Sequence, residues 1–122
     1  MVVLVIDDSR TMRKLLSRAL KEHSCEVLEA EGGVSGLAQL RENPQIDLVM
    51  VDWNMPEMNG IQFVQELRAD PNLSKVRIVM VTADSKMNQI QIALDAGANE
   101  YLIKPFTKES VGEKLQILEM PL

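Results

Sequence analysis

Four short apolar runs, each closed by a polar residue, constrain the fold of this chain more than any other feature. Val2 to Ile6 stops at Asp7-Asp8, Leu48 to Val51 at Asp52, Val76 to Val81 at Thr82-Ala83-Asp84, and Tyr101 to Ile103 at Lys104-Pro105. Runs this short, rich in β-branched residues and separated by helical patterns, read as strands of a parallel sheet covered on both faces. In open α/β sheets the carboxyl ends of the strands line the ligand crevice. The acids, the threonine and the lysine are scattered in sequence, yet this placement predicts that they converge in space.

Between the runs lie one-sided helical patterns with three-and-four spacing: Met12, Leu15, Leu16, Ala19 and Leu20; Val34, Leu37 and Ala38; Ile61, Val64 and Leu67; Met87, Ile90 and Leu94; Val111, Leu115 and Leu118. Gly32-Gly33, Asn59-Gly60, Asp70-Pro71-Asn72 and Ala96-Gly97 punctuate them, and Ser9 stands where it can cap the first helix. A further strand, Glu26 to Ala30, is the least apolar, as expected of a sheet edge. Alternating βα units imply a parallel sheet with right-handed crossovers. Gly112 interrupts the last helix, at a cost of about 1 kcal/mol relative to alanine.

A length of 122 residues with 46% hydrophobic content suits one domain over residues 1–122 with a real core. Net charge is −5 and no basic cluster exceeds Arg13-Lys14, which argues against a nucleic-acid partner. The only cysteine is Cys25, so no intramolecular disulfide forms. The first apolar run is too short for a signal peptide and no segment is long enough to span a membrane, so a cytoplasmic setting is expected.

Gathered carboxylates repel one another, and an all-oxygen acidic site suits a hard cation such as Mg²⁺, which takes few protein ligands and keeps several waters. With a cation present, an aspartate can act as a nucleophile and carry a covalent phosphoryl group, provided donors neutralise the phosphoryl oxygens. Lys104 and Thr82 are suitable donors.

Asp7-Asp8, the stretch Asp52-Trp53-Asn54-Met55-Pro56 followed by Gly60, Thr82-Ala83 and Lys104-Pro105-Phe106 resemble the signature set of the receiver domain of two-component response regulators. The resemblance covers essentially the whole chain and is strongest to single-domain chemotaxis regulators of the CheY type, through Trp53, Asn54, Thr82-Ala83-Asp84, Tyr101 and Lys104-Pro105-Phe106-Thr107. It implies a flavodoxin-like, doubly wound, five-stranded parallel sheet of order 2-1-3-4-5, with five helices on the two faces. It also implies that Asp52 is the phosphoacceptor and that Asp8 binds Mg²⁺ directly. Asp7 would do so through a water, and Asp52 and the backbone carbonyl of Asn54 complete the metal set. Thr82, the Ala83 amide, Lys104 and Asn54 are the implied phosphoryl-binding groups, and a cis peptide before Pro105 aims Lys104 inward. Tyr101 resembles the switch aromatic that turns inward when Thr82 moves toward the phosphoryl group. Ile90, Tyr101, Ile103 and Lys114 match the partner-binding face.

The expected activity is that of a stand-alone, monomeric receiver. It accepts a phosphoryl group from a histidine kinase, catalyses only its own phosphorylation and dephosphorylation, and binds a downstream signalling or motility protein; a phosphatase is a further candidate partner. His23 is read as a solvated residue, since the phosphohistidine belongs to the kinase. Trp53 is read as a partly exposed reporter, Met12 and Met50 as core, and Met87 as an exposed contact. Three alternatives stand beside this: a phosphorelay shuttle that passes the group to a histidine phosphotransfer protein, the receiver part of a longer regulator, for which the end Glu119 to Leu122 leaves room, and an Asp-nucleophile phosphatase of the haloacid dehalogenase type. The last needs a second acid where this chain has Asn54. Ser9 after the acid pair and Asp84 after Ala83 depart from residues common in the chemotaxis regulators, and bear on phosphoryl lifetime and choice of kinase.

Overall fold

The computed structural model describes residues 1–119; Met120 to Leu122, with which the sequence reading closes the domain, lie outside the described residues. The chain alternates β1 (Val2–Ile6), α1 (Arg10–Glu22), β2 (Glu26–Ala30), α2 (Gly33–Glu42), β3 (Leu48–Asp52), α3 (Gly60–Ala69), a 3₁₀ turn (Pro71–Leu73), β4 (Arg77–Thr82), α4 (Met87–Ala96), β5 (Glu100–Ile103) and α5 (Lys108–Glu119). All pairings are parallel. The sheet order is β2-β1-β3-β4-β5, as the resemblance implied.

Side-chain alternation along these strands splits the core in two. Leu4, Ile6, Val49, Val51, Ile78 and Met80 point to one side and meet Leu37, Phe63, Leu67 and Ala93 from α2, α3 and α4. Val3, Val5, Met50, Val79, Val81 and Leu102 point to the other and meet Leu16, Leu20, Val111 and Leu115 from α1 and α5. Because both faces are covered, the strands show continuous apolar runs, and the least covered strand, β2, sits at the edge.

Local chemistry sets the helix starts. The Ser9 hydroxyl accepts from the Met12 amide, as expected, and Asn59 and Gln62 form a reciprocal capping box on α3. Gly60 is required by close approach: a Cβ there would lie 2.7 Å from the Asp52 carbonyl oxygen and 2.9 Å from Trp53 Cα. The start of α3 thus packs directly on the backbone of the acid that ends β3.

Several expectations are corrected. Val34 is 66% exposed and Ala38 is also outward, because the buried face of α2 runs through Gly33, Gly36, Leu37 and Leu40. Leu15 is 48% exposed, while Arg13, Leu16 and Leu20 face inward. On α3 the largest buried side chain is Phe63, which the three-residue pattern passed over. His23 is not a freely solvated residue: its Nε2 lies 2.8 Å from the Lys108 carbonyl, and its ring covers Gly112, where a Cβ would come within 2.6 Å. Gly112 is therefore a packing position between α1 and α5. Among the described residues, no helix is long and apolar enough to cross a membrane.

Candidate functional site

The carboxyl ends of β1, β3 and β5 deliver their polar residues to one crevice. Asp7 follows β1 and is buried, Asp52 is the last residue of β3 and is buried, and Asp8 stands exposed at the rim. One carboxylate oxygen from each lies within 4.8 Å of the others. Lys104, just past β5, is carried on a cis Lys104–Pro105 peptide. Its ammonium donates to Asp52 Oδ1 at 2.7 Å and lies 3.6 Å from Asp7 Oδ2.

The turn between β1 and α1 is fixed from both sides. Asp7 Oδ1 accepts the Ser9 amide at 2.8 Å, and Arg13, buried on α1, donates from Nη1 to the Asp7 carbonyl at 2.7 Å while its Nε pairs with Glu29 at 3.0 Å. Arg13 is a supporting residue that sequence reasoning missed. An arginine on a helix looks like surface charge, and only the fold shows that its fork reaches the acid turn. The hydrogen bonds and charges of Lys14 and Arg13 hold the Glu29 carboxyl below its ordinary pKa, against the opposing effect of burial.

Burial pushes the Asp52 pKa up, and the charges of Asp7 and Asp8 push the same way; the Lys104 hydrogen bond opposes them without winning. Burial alone would lower the Lys104 pKa, but its hydrogen bond to Asp52 and the charges of Asp52 and Asp7 raise it. Both shifts are upward, whereas a simple ion pair would raise the lysine and lower the acid. One ammonium facing three acids reconciles them: the lysine gains from all of its neighbours, while Asp52 gains one cation and two repelling anions. Asp52 Oδ2 receives no hydrogen bond from the described residues, so the buried acid keeps one open oxygen.

Thr82, the last residue of β4, is 3% exposed. Its Oγ1 accepts the Asp84 amide at 3.0 Å and its carbonyl accepts the Lys104 amide at 2.7 Å, tying the ends of β4 and β5 together. Asp84 in turn accepts the Lys86 amide at 2.9 Å. Ala83 and Asn54 are exposed in the loops after β4 and β3. Trp53 is half-buried against the core.

Tyr101 and Ile103 lie half-buried on β5 with Lys114 beside them on α5. Ile90, the remaining residue of the expected partner face, is only 6% exposed on α4. Met87, 76% exposed, is the outward apolar residue of that helix, as expected, joined by Ile92 at 46%. Sequence reasoning missed Glu100, which accepts from Lys114 at 3.0 Å.

A doubly wound 2-1-3-4-5 sheet whose strand ends gather an acid pair, a central aspartate and a lysine is the architecture of a receiver domain. The sequence matches the response regulator receiver domain over residues 3–116, and the chain belongs to that family. It is 41% identical over 119 residues to the chemotaxis protein CheY1 of Helicobacter pylori, covering 97% of this chain and 96% of that protein. It is 42% identical over 118 residues to the chemotaxis protein CheY homolog of Campylobacter jejuni, covering 95% and 90%. The crystallised chemotaxis protein CheY4 of Vibrio cholerae superposes with a TM-score of 0.88 at 32% identity, covering 95% of this chain and 96% of that one. A two-component response regulator/GGDEF domain protein of known structure matches with a TM-score of 0.89 at 35% identity, covering 98% of this chain and 51% of that one. The protein is thus a CheY-like receiver.

Proposed function

We propose that this receiver accepts a phosphoryl group on Asp52 from the phosphohistidine of a histidine kinase and, as a stand-alone domain in chemotaxis or motility, signals by changing its affinity for a downstream protein. The observation that carries this reading is the pairing of Lys104 with a buried Asp52 whose other oxygen stays open. Asp52 Oδ2 attacks phosphorus, the P–N bond breaks, and the imidazole leaves with its electron pair. Lys104 then turns its ammonium toward the phosphoryl oxygens, and the Thr82 hydroxyl and the Ala83 amide donate to them.

Three carboxylates within 4.8 Å, all offering oxygen, fit a hard divalent cation. Asp7, Asp8, Asp52 and the Asn54 carbonyl would hold Mg²⁺, which supplies positive charge against the phosphoryl oxygens when bound. The reactions catalysed are the protein's own phosphorylation and dephosphorylation. A phosphoryl group adds about −1.5 to −2 charge, and pairing it with Lys104 and Thr82 supplies the differential stabilisation that an output switch needs.

The assignment is tested by intact mass after treatment with a small acyl-phosphate donor and Mg²⁺. One phosphoryl group is expected on the parent and none on Asp52→Asn; undiminished labelling of that variant would sink the assignment. The likeness to the GGDEF-linked receiver favours a second reading, the receiver part of a longer regulator, which uses the same site.

A further inference from the structure

Glu100 and Lys114 form an ion pair that belongs to neither the crevice nor the core. Lys114 Nζ lies 3.0 Å from Glu100 Oε1 and 4.1 Å from the centre of the Tyr101 ring. The same carboxylate oxygen accepts the Tyr101 amide at 3.1 Å. The two charged side chains are only 18% and 17% exposed, so this pair is better sheltered than the surface pair of Lys108 with Glu22, at 51% and 46%. A lysine ammonium is a mobile point charge on a flexible stem, and an aromatic face attracts it without fixing where the stem goes. The carboxylate supplies that fixing. Glu100 is bonded to the amide of the residue whose ring Lys114 covers, so lysine, ring and acid form one closed unit linking α5 to β5.

We propose that Glu100 is a positioning residue that restrains the output switch: its carboxylate holds Lys114 across the Tyr101 ring, and that contact must be given up when Tyr101 turns inward. This rests on the reading of Tyr101 as the switch residue. The present ring position is favoured by the cation above it, and the cation is favoured there by Glu100. Removing the carboxylate frees the lysine to leave, which makes the inward position easier to reach before any phosphoryl group is present. The same carboxylate also competes for Lys114 with any acidic residue that a docking partner brings to this face.

The test compares Glu100→Gln with the parent by NMR, with Asp52 unloaded or loaded with beryllofluoride and Mg²⁺. In the unloaded parent the Tyr101 ring current is expected to shift the Lys114 ε-methylene upfield, because Nζ lies 4.1 Å from the ring centre. Glu100→Gln is expected to remove much of that shift and to move the Tyr101 resonances toward their loaded positions, changing the ratio of ring positions by up to about fivefold, the range of a surface-accessible ion pair. Glu113→Gln removes a like charge from the exposed side of α5 and is expected to leave both signals in place. Parent-like Lys114 and Tyr101 signals in Glu100→Gln, or equal changes in Glu113→Gln, would overturn the proposal. A parent whose Tyr101 ignores loading would instead overturn the switch assignment, and the Lys114 shift in unloaded Glu100→Gln would still decide whether Glu100 holds the lysine.

Discussion

Lys104 donates a 2.7 Å hydrogen bond to Asp52 from the far end of the sheet, and it is the counter-charge that makes a buried central aspartate tolerable beside Asp7. Replacing it with methionine leaves the acids repelling one another in a desolvated site, and Lys104→Met is expected to cost about 1–3 kcal/mol at neutral pH. Because the folded Asp52 pKa is raised above its ordinary 3.8, the folded protein takes up a proton before the unfolded chain does. Stability linked to Asp52 is therefore gained as pH falls from neutral toward that value. The variant should recover part of its deficit in urea melts over this acidic window. For Lys104 the sign is the same in an alkaline window: its folded pKa is raised, so the parent's pairing stability is fully present below the ordinary 10.5 and is lost as pH rises through the higher folded value. A variant whose deficit stayed constant from pH 7 to pH 4 would show that carboxylate repulsion is not its cause.

The acid cluster makes a second prediction, for the metal. An ion that binds the folded state alone stabilises it by linkage, about 2.7 kcal/mol at one hundred times the dissociation constant. Mg²⁺ should therefore raise the melting temperature of the parent, and Trp53 fluorescence should follow the same titration. Asp8→Asn removes one of the three repelling charges at the rim, so its metal-free form should melt above the parent while the response to Mg²⁺ falls. A full response in Asp8→Asn would place the metal elsewhere.

Between α1 and α5 the prediction concerns packing. Alanine is the better helix former by about 1 kcal/mol, yet a Cβ at residue 112 meets the His23 ring at 2.6 Å. Overpacking costs about 1–3 kcal/mol, so Gly112→Ala is expected to be neutral or destabilising. In a His23→Ala background the obstruction is gone and the same change should stabilise by up to about 1 kcal/mol. Urea denaturation of the four proteins in the cycle reads this coupling, and strictly additive effects would show that His23 does not fill the position.

How much of this was legible in the sequence follows from the range of each interaction. The strand ends could be read because a parallel strand covered on both faces must be apolar throughout, so its first polar residue marks the crevice; Asp7, Asp52, Thr82 and Lys104 all appear there. The strand order came from the family resemblance, since periodicity does not say which strands are neighbours. Helix faces were read less well, because α2 turns glycines to the core and leaves Val34 outside, and no hydropathy pattern anticipates a helix that approaches by lacking side chains. Contacts such as Arg13 with the Asp7 carbonyl, His23 with Lys108 and Glu100 with Lys114 join polar residues across elements, and each looks like ordinary surface charge until the fold brings the partners together.

On the proposed function, coupling from the crevice to the output face would pass through Thr82. Its hydroxyl accepts the Asp84 amide at 3.0 Å, and it lies beside Ile103 in the β4–β5 register, two residues from Tyr101. If the hydroxyl turns to a phosphoryl oxygen, it releases that loop amide and vacates space near β5, a local change with two discrete arrangements. Thr82→Ala removes the hydroxyl and leaves Asp52 and Lys104 in place. Labelling of Asp52 should persist in this variant, while chemical-shift changes at Tyr101 and Lys114 on beryllofluoride loading should shrink well below those of the parent. Loss of labelling together with the distant response would make Thr82 part of the phosphorylation chemistry. An undiminished response at Tyr101 and Lys114 would instead remove Thr82 from the coupling route, leaving the reorientation of Lys104 toward the phosphoryl group, transmitted along β5, as the remaining connection.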